Sequence, residues 1–102
     1  MKHKIILYLI LMGSFFSLSA QNIGVKGVVT SSEDGLSLPG ATVLVSGTNN
    51  GTSTDLDGQF TLTNVDRNAT LTFSFTGYES QSVKLNGQTT LAISLKAESL
   101  KL

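Results

Sequence analysis

Apolar and polar side chains alternate along most of this chain with a period of two. Val25, Gly27 and Val29 share one face of the stretch 25–30, and Ala41, Val43 and Val45 share one face of 41–45. Phe60 and Leu62 do the same in 59–63, and Leu71, Phe73 and Phe75 in 71–76, where the alternation is cleanest. Val83 and Leu85 follow in 81–85, then Leu91, Ile93 and Leu95 in 89–95. Successive side chains of a β-strand point to opposite faces, so each stretch predicts a strand with one buried face. A further short strand is expected at 52–54. The stretch 71–76 is expected at the centre of a sheet, and Gly27 implies a close backbone approach.

Turn chemistry fills the gaps. Ser31–Gly35 and Leu38-Pro39-Gly40 precede the second strand, where the lone proline interrupts no ladder. Gly47–Gly51 predicts a turn, and its Asn50-Gly51 supports a hairpin type with positive φ at both central residues. Asp55-Leu56-Asp57-Gly58 predicts a tight corner: short carboxylates bond neighbouring N–H groups, and Gly58 takes a positive φ. Asn64–Asn68 reads as a loop, Gly77-Tyr78 as a break, Asn86-Gly87 as a turn, and 97–102 carries no turn or strand signal. Seven short strands with turns every 8–12 residues predict an all-β, seven-stranded antiparallel β-sandwich.

The first 20 residues follow another pattern. A positive segment, Met1–Lys4, precedes the apolar run Ile5–Met12, with Phe15, Phe16 and Leu18 beyond it. Small residues lead to Ala20, which is the arrangement of a cleavable signal peptide. Gly13 and Ser14 interrupt a run too short for a spanning helix of about 20 apolar residues. The domain is then expected at 21–96, with 97–102 a tail or the start of a linker.

Composition narrows the chemistry. The chain has 102 residues, one small domain at most. Its charged fraction, 14%, is low, so Thr, Ser, Asn, Gln and Gly supply the polar surface. The 7 basic and 7 acidic residues form no basic patch for nucleic acid. Loss of Lys2 and Lys4 with the leader leaves a net charge of about −2. There is no Cys, and the single histidine, His3, leaves with the leader. This removes the usual general base, the thiol nucleophile and the commonest metal ligands. No cofactor and no small-molecule substrate are expected.

Asp55 and Asp57 are the one close carboxylate pair in a turn. They lie too near each other to flank a glycosidic bond. Asp55-x-Asp57-Gly58 matches part of an EF-hand loop, but no Glu closes it. Both aspartates are therefore read as turn-formers. Asn50-Gly51-Thr52 and Asn68-Ala69-Thr70 fit the glycosylation sequon and are read as turns. Tyr78 is read as packing at a sheet edge in preference to an exposed platform for a sugar or partner.

Val25-Lys26-Gly27-Val28-Val29, Leu38-Pro39-Gly40-Ala41-Thr42-Val43, Gly47-Thr48, Gly51-Thr52, Thr54-Asp55-Leu56-Asp57-Gly58-Gln59-Phe60 and Phe75-Thr76-Gly77-Tyr78 follow one another in order. Together they resemble the carboxypeptidase-D regulatory-like domain, a transthyretin-like (prealbumin-like) sandwich, over about Val25 to Lys96. The copy they resemble most is that at the N-terminus of SusC/RagA-type TonB-dependent outer-membrane receptors. Pro39, Gly40, Gly51, Phe60, Gly77 and Tyr78 carry the motif.

The resemblance implies a non-catalytic periplasmic domain associated with the outer membrane. It would act by contact with the plug and barrel of a receptor that imports glycans or peptides, or with another envelope protein. Family members run on into an acidic, Val-rich segment where this sequence has Ser99-Leu100-Lys101-Leu102, so a fragment of a larger receptor is expected. The second reading is a free-standing secreted β-sandwich module that binds carbohydrate or a cell-surface partner. N-terminal sequencing of the exported chain tests the leader: Gln21 is the expected first residue, and a retained Met1 would count against it.

Overall fold

The computed structural model describes residues 22–99. The expected leader, 1–20, and the last residues of the tail lie outside them. Seven strands follow in order: β1 (Asn22–Ser31), β2 (Thr42–Val45), β3 (Gly51–Ser53), β4 (Gln59–Asp66), β5 (Thr70–Ser74), β6 (Gln81–Lys84) and β7 (Thr90–Leu95). They form a three-stranded sheet in the order β4-β1-β7 and a four-stranded sheet in the order β3-β2-β5-β6. The expected all-β sandwich is therefore present, and β5 is paired on both sides.

One pair departs from the antiparallel expectation. β1 and β7 run parallel, from Lys26 opposite Thr90 to Ser31 opposite Leu95. A parallel pair needs a long crossover, and here the whole chain between β1 and β7 supplies it. Side-chain alternation carries the same signal for either direction, so it does not distinguish them.

The core is the set of inward side chains that alternation marks. Val25, Val29, Phe60, Leu62, Leu91, Ile93 and Leu95 come from one sheet, and Val43, Val45, Leu71 and Phe73 from the other. Ala41, Leu38 and Leu85 close its ends. Phe60 and Phe73 meet across the sandwich edge-to-face, with centroids 5.5 Å apart. Phe75 is half-buried against this core, just past the end of β5.

Val65 is a core residue that the loop expectation for Asn64–Asn68 missed. Ile23 pairs with Val65 and Val25 with Leu62, so β4 carries one extra residue between these pairs. Asn64 absorbs it at φ 56°. The bulge brings Leu62 and Val65, three residues apart, to one buried face.

The turn expected over 47–51 is present, but its positive φ is not at Asn50-Gly51. Gly47 holds the positive φ, 79°, and Gly51 opens β3 opposite Leu44. The Asn50 side chain instead donates to Thr63 O (3.0 Å), joining the β2–β3 connection to β4. At Asn86-Gly87 both residues have positive φ, 51° and 81°, and the Gln88 N–H closes the turn on Leu85 O.

Gly27 sits in the middle of β1 between Phe60 and Leu91. A Cβ there would lie 2.3 Å from Leu91 O and 2.8 Å from the Phe60 ring. Neither a ladder carbonyl nor a packed ring can withdraw cheaply. Gly27→Ala is expected to destabilise the domain by about 2–3 kcal/mol in urea melts. An unchanged midpoint would mean that the two neighbours relax freely.

Candidate functional site

Three connections gather at the end of the sandwich where β1 finishes, here called the Ser31 end. They are the β1–β2 connection, the β3–β4 corner and the β5–β6 turn. The tail after β7 joins them.

The β3–β4 corner carries the chain from one sheet to the other. The Gly58 N–H donates to Asp55 O (2.9 Å), and the Asp55 N–H donates to Gln59 O (2.9 Å). Asp55 Oδ1 accepts from both the Asp57 and Gln59 N–H groups, each at 2.9 Å. Gly58 has φ 75° and is buried. A Cβ on it would stand 2.6 Å from Val29 O and 2.8 Å from Ser37 Cβ. Gly58 O accepts from the Val29 N–H (2.8 Å), which docks the corner on the end of β1. The corner expected from sequence is therefore centred on Asp55 and Gly58. Asp57 contributes its N–H, and its exposed carboxylate takes no part in these bonds.

Thr54, just before the corner, is a residue that alternation does not single out. It is buried. Its hydroxyl donates to Leu38 O and accepts from the Ala41 N–H (2.9 Å). It thus spans the turn in which Gly40 takes φ 82° after Pro39. The backbones of Thr54, Gly40 and Ala41 bond as well, so Pro39-Gly40 is tied to the corner.

Gly77, at φ 86°, makes the turn that returns the Tyr78 N–H to Phe75 O (3.0 Å). Tyr78 is half-buried, tilted on Phe75 at 5.8 Å, and its hydroxyl donates to Ser31 Oγ (3.2 Å). The ring thus packs at the sheet edge and stays partly exposed. The described part of the tail, 97–99, is bonded to the β5–β6 turn and the β1–β2 connection. The Glu79 N–H bonds Lys96 O, the Glu98 N–H bonds Gly77 O, and the Ala97 N–H reaches the Glu33 carboxylate (3.1 Å). These partners are remote in sequence, which is why no local signal marks them.

This end of the sandwich is distinguished by its charge and its exposed apolar side chains. Among the described residues no group of three or more His, Asp or Glu side chains is placed to hold a metal ion. Of the 7 acidic residues, all but Asp66 lie here: Glu33, Asp34, Asp55, Asp57, Glu79 and Glu98. Among the described residues Lys96 is the cation beside them, whereas Arg67 and Lys84 sit at the opposite end of the sandwich. Leu36 and Leu56, on two adjoining connections, are 66% and 86% exposed.

Substitutions at the corner should separate its residues. Gly58→Ala combines left-handed strain with a backbone collision and should cost at least about 3 kcal/mol. Asp55→Ala, in an exposed turn, should cost about 1 kcal/mol. Asp57→Ala should stay within about 0.5 kcal/mol. Thermal melts of the three variants rank them, and an Asp57→Ala effect above that of Asp55→Ala would refute this division of roles.

Comparison with known proteins follows the same lines. The family model for the CarboxypepD_reg-like domain matches residues 25–102. TonB-dependent receptor P3 of Formosa agariphila is 38% identical over 98 residues, which is 96% of this chain and 10% of that receptor. TonB-dependent receptor SusC of Bacteroides thetaiotaomicron is 38% identical over 85 residues, 81% of this chain and 8% of that receptor. The chain thus spans about a tenth of the length of the curated relatives it matches. Among solved structures, a type II cohesin–X–dockerin complex from Acetivibrio cellulolyticus contains a chain that superposes with TM-score 0.58 at 22% identity. That match covers 74% of this chain and 58% of the other, and shows a shared sandwich fold. With its two-sheet architecture, its glycine corner and this family match, the chain belongs to the CarboxypepD_reg-like domain family.

Proposed function

We propose that this chain is the non-catalytic N-terminal accessory domain of a TonB-dependent receptor that imports a glycan or peptide, and that it acts by protein contact. The observation that carries the reading is the 38% identity to TonB-dependent receptors along nearly the whole chain. The residues support it. Several polar side chains at the Ser31 end hold turns, as in Thr54, Asp55 and Tyr78, while the Asp57 carboxylate stays exposed. A scaffold of this kind offers shape and charge to a protein and no activated nucleophile. On this reading the domain lies on the periplasmic side of the outer membrane, and residues 1–20 export it.

Against the carbohydrate-binding alternative, no aromatic ring among the described residues is fully exposed. Phe60 and Phe73 are buried, and Phe75 and Tyr78 are half-buried against the core. The proposal is tested by binding the purified chain, residues 21–102, to a SusC-type receptor from which the matching region is deleted. Saturable binding in the micromolar range, about −8 kcal/mol, is expected. Lack of saturation at about 1 mM, together with saturable binding on a glycan array, would replace it with the alternative.

A further inference from the structure

We propose that the Ser31 end is the docking surface of this domain, and that it takes a protein surface that is basic and offers sockets for two leucines. This inference rests on the protein-contact reading and adds the place and the chemistry of the contact.

The two apolar anchors are Leu36 and Leu56. Among the described residues, three large apolar side chains are exposed, and these two stand out most, at 66% and 86%. They sit on connections that touch: the Cβ position of Gly58, two residues after Leu56, lies 2.8 Å from the Cβ of Ser37, next to Leu36. Both backbones are held. The Leu36 N–H donates to Asp34 Oδ1 (3.0 Å), and its carbonyl accepts from the Ser31 N–H (2.8 Å). Leu56 lies inside the turn closed by Asp55 and Gly58. Apolar side chains carried on backbones already held in turns leave only rotamer freedom to be lost when a partner covers them.

Charge identifies the partner. Glu33 and Asp34 shortly precede Leu36 in sequence, and Asp55 and Asp57 flank Leu56. A rim of carboxylates around apolar anchors complements Lys and Arg around apolar pockets, and it speeds encounter with such a surface. The same sign repels an anionic lipid surface. The opposite end of the sandwich mixes Asp66 with Arg67 and Lys84, so it has neither feature.

The test uses the whole chain in the envelope of the cells that make it, with the photocrosslinker p-benzoylphenylalanine at one position at a time. Positions 36 and 56 probe the Ser31 end. Position 61 probes the outer face of β4, and position 49 the opposite end. Crosslinks at 36 and 56 are expected to exceed those at 49 and 61 at least about ten-fold, on protein peptides rich in Lys and Arg. Leu56→Ser combined with Asp57→Lys should lower the yield at position 36 at least about ten-fold, with the melting temperature unchanged. Dominant crosslinks at 49 or 61, lipid adducts, or neutral or acidic peptides at 36 and 56 would overturn the docking surface and leave protein contact standing. Silence at all four positions would overturn both.

Discussion

The backbone of Gly58 comes closer to Val29 and Ser37 than any side chain allows, and much of the sandwich depends on that approach. The chain must leave one sheet after β3 and enter the other at β4 within a few residues. A left-handed glycine makes the turn, and the missing Cβ lets its carbonyl reach the Val29 N–H. Thr54 then fastens the neighbouring Pro39-Gly40 turn to the same place through its hydroxyl. Buried polar backbone groups of three separate segments are thus satisfied in one small volume, where an unpaired one would cost about 1–3 kcal/mol. The β1–β2 connection and the β3–β4 corner are held to each other and to β1 by this anchor.

A domain of this size has few large side chains to spend on its core, and none of them is Trp. It compensates by bringing strands and sheets close. Gly27 lets Phe60 lie over β1, and Phe60 then reaches Phe73 of the opposite sheet. The bulge at Asn64 returns Val65 to the core after an irregular step. Each device trades a side chain or a regular register for tighter contact between elements, which is where a small core gains its stability.

Alternation made the strands and most of the buried set legible, because period-two burial is a local property of a strand. Leu71 and Phe73, or Leu91, Ile93 and Leu95, could be placed without knowing their neighbours. Sheet membership and strand direction were not legible, since β1 and β7 are paired by chain far apart in sequence. Val65 was hidden by the bulge, and Thr54 by looking like any surface hydroxyl. The corner was found from its Asp and Gly residues, yet sequence offered no ground for choosing Asp55 over Asp57. That choice depends on which carboxylate faces the N–H groups. Leu36 and Leu56 were hidden for a similar reason, because exposure of a leucine in a turn is set by what the turn packs against.

The parallel pairing of β1 with β7 also decides how the domain meets mechanical load. The first and last strands lie side by side, and their outer ends point in opposite directions along the same axis. Tension between the two ends of the described chain therefore runs along this ladder and pulls its hydrogen bonds in shear. Bonds loaded in shear share the force and yield together, whereas a hairpin pulled at its open end unzips one bond at a time. The short pairing of the tail with Gly77 and Glu79 would give way first, leaving β1 and β7 as the clamp that resists extension.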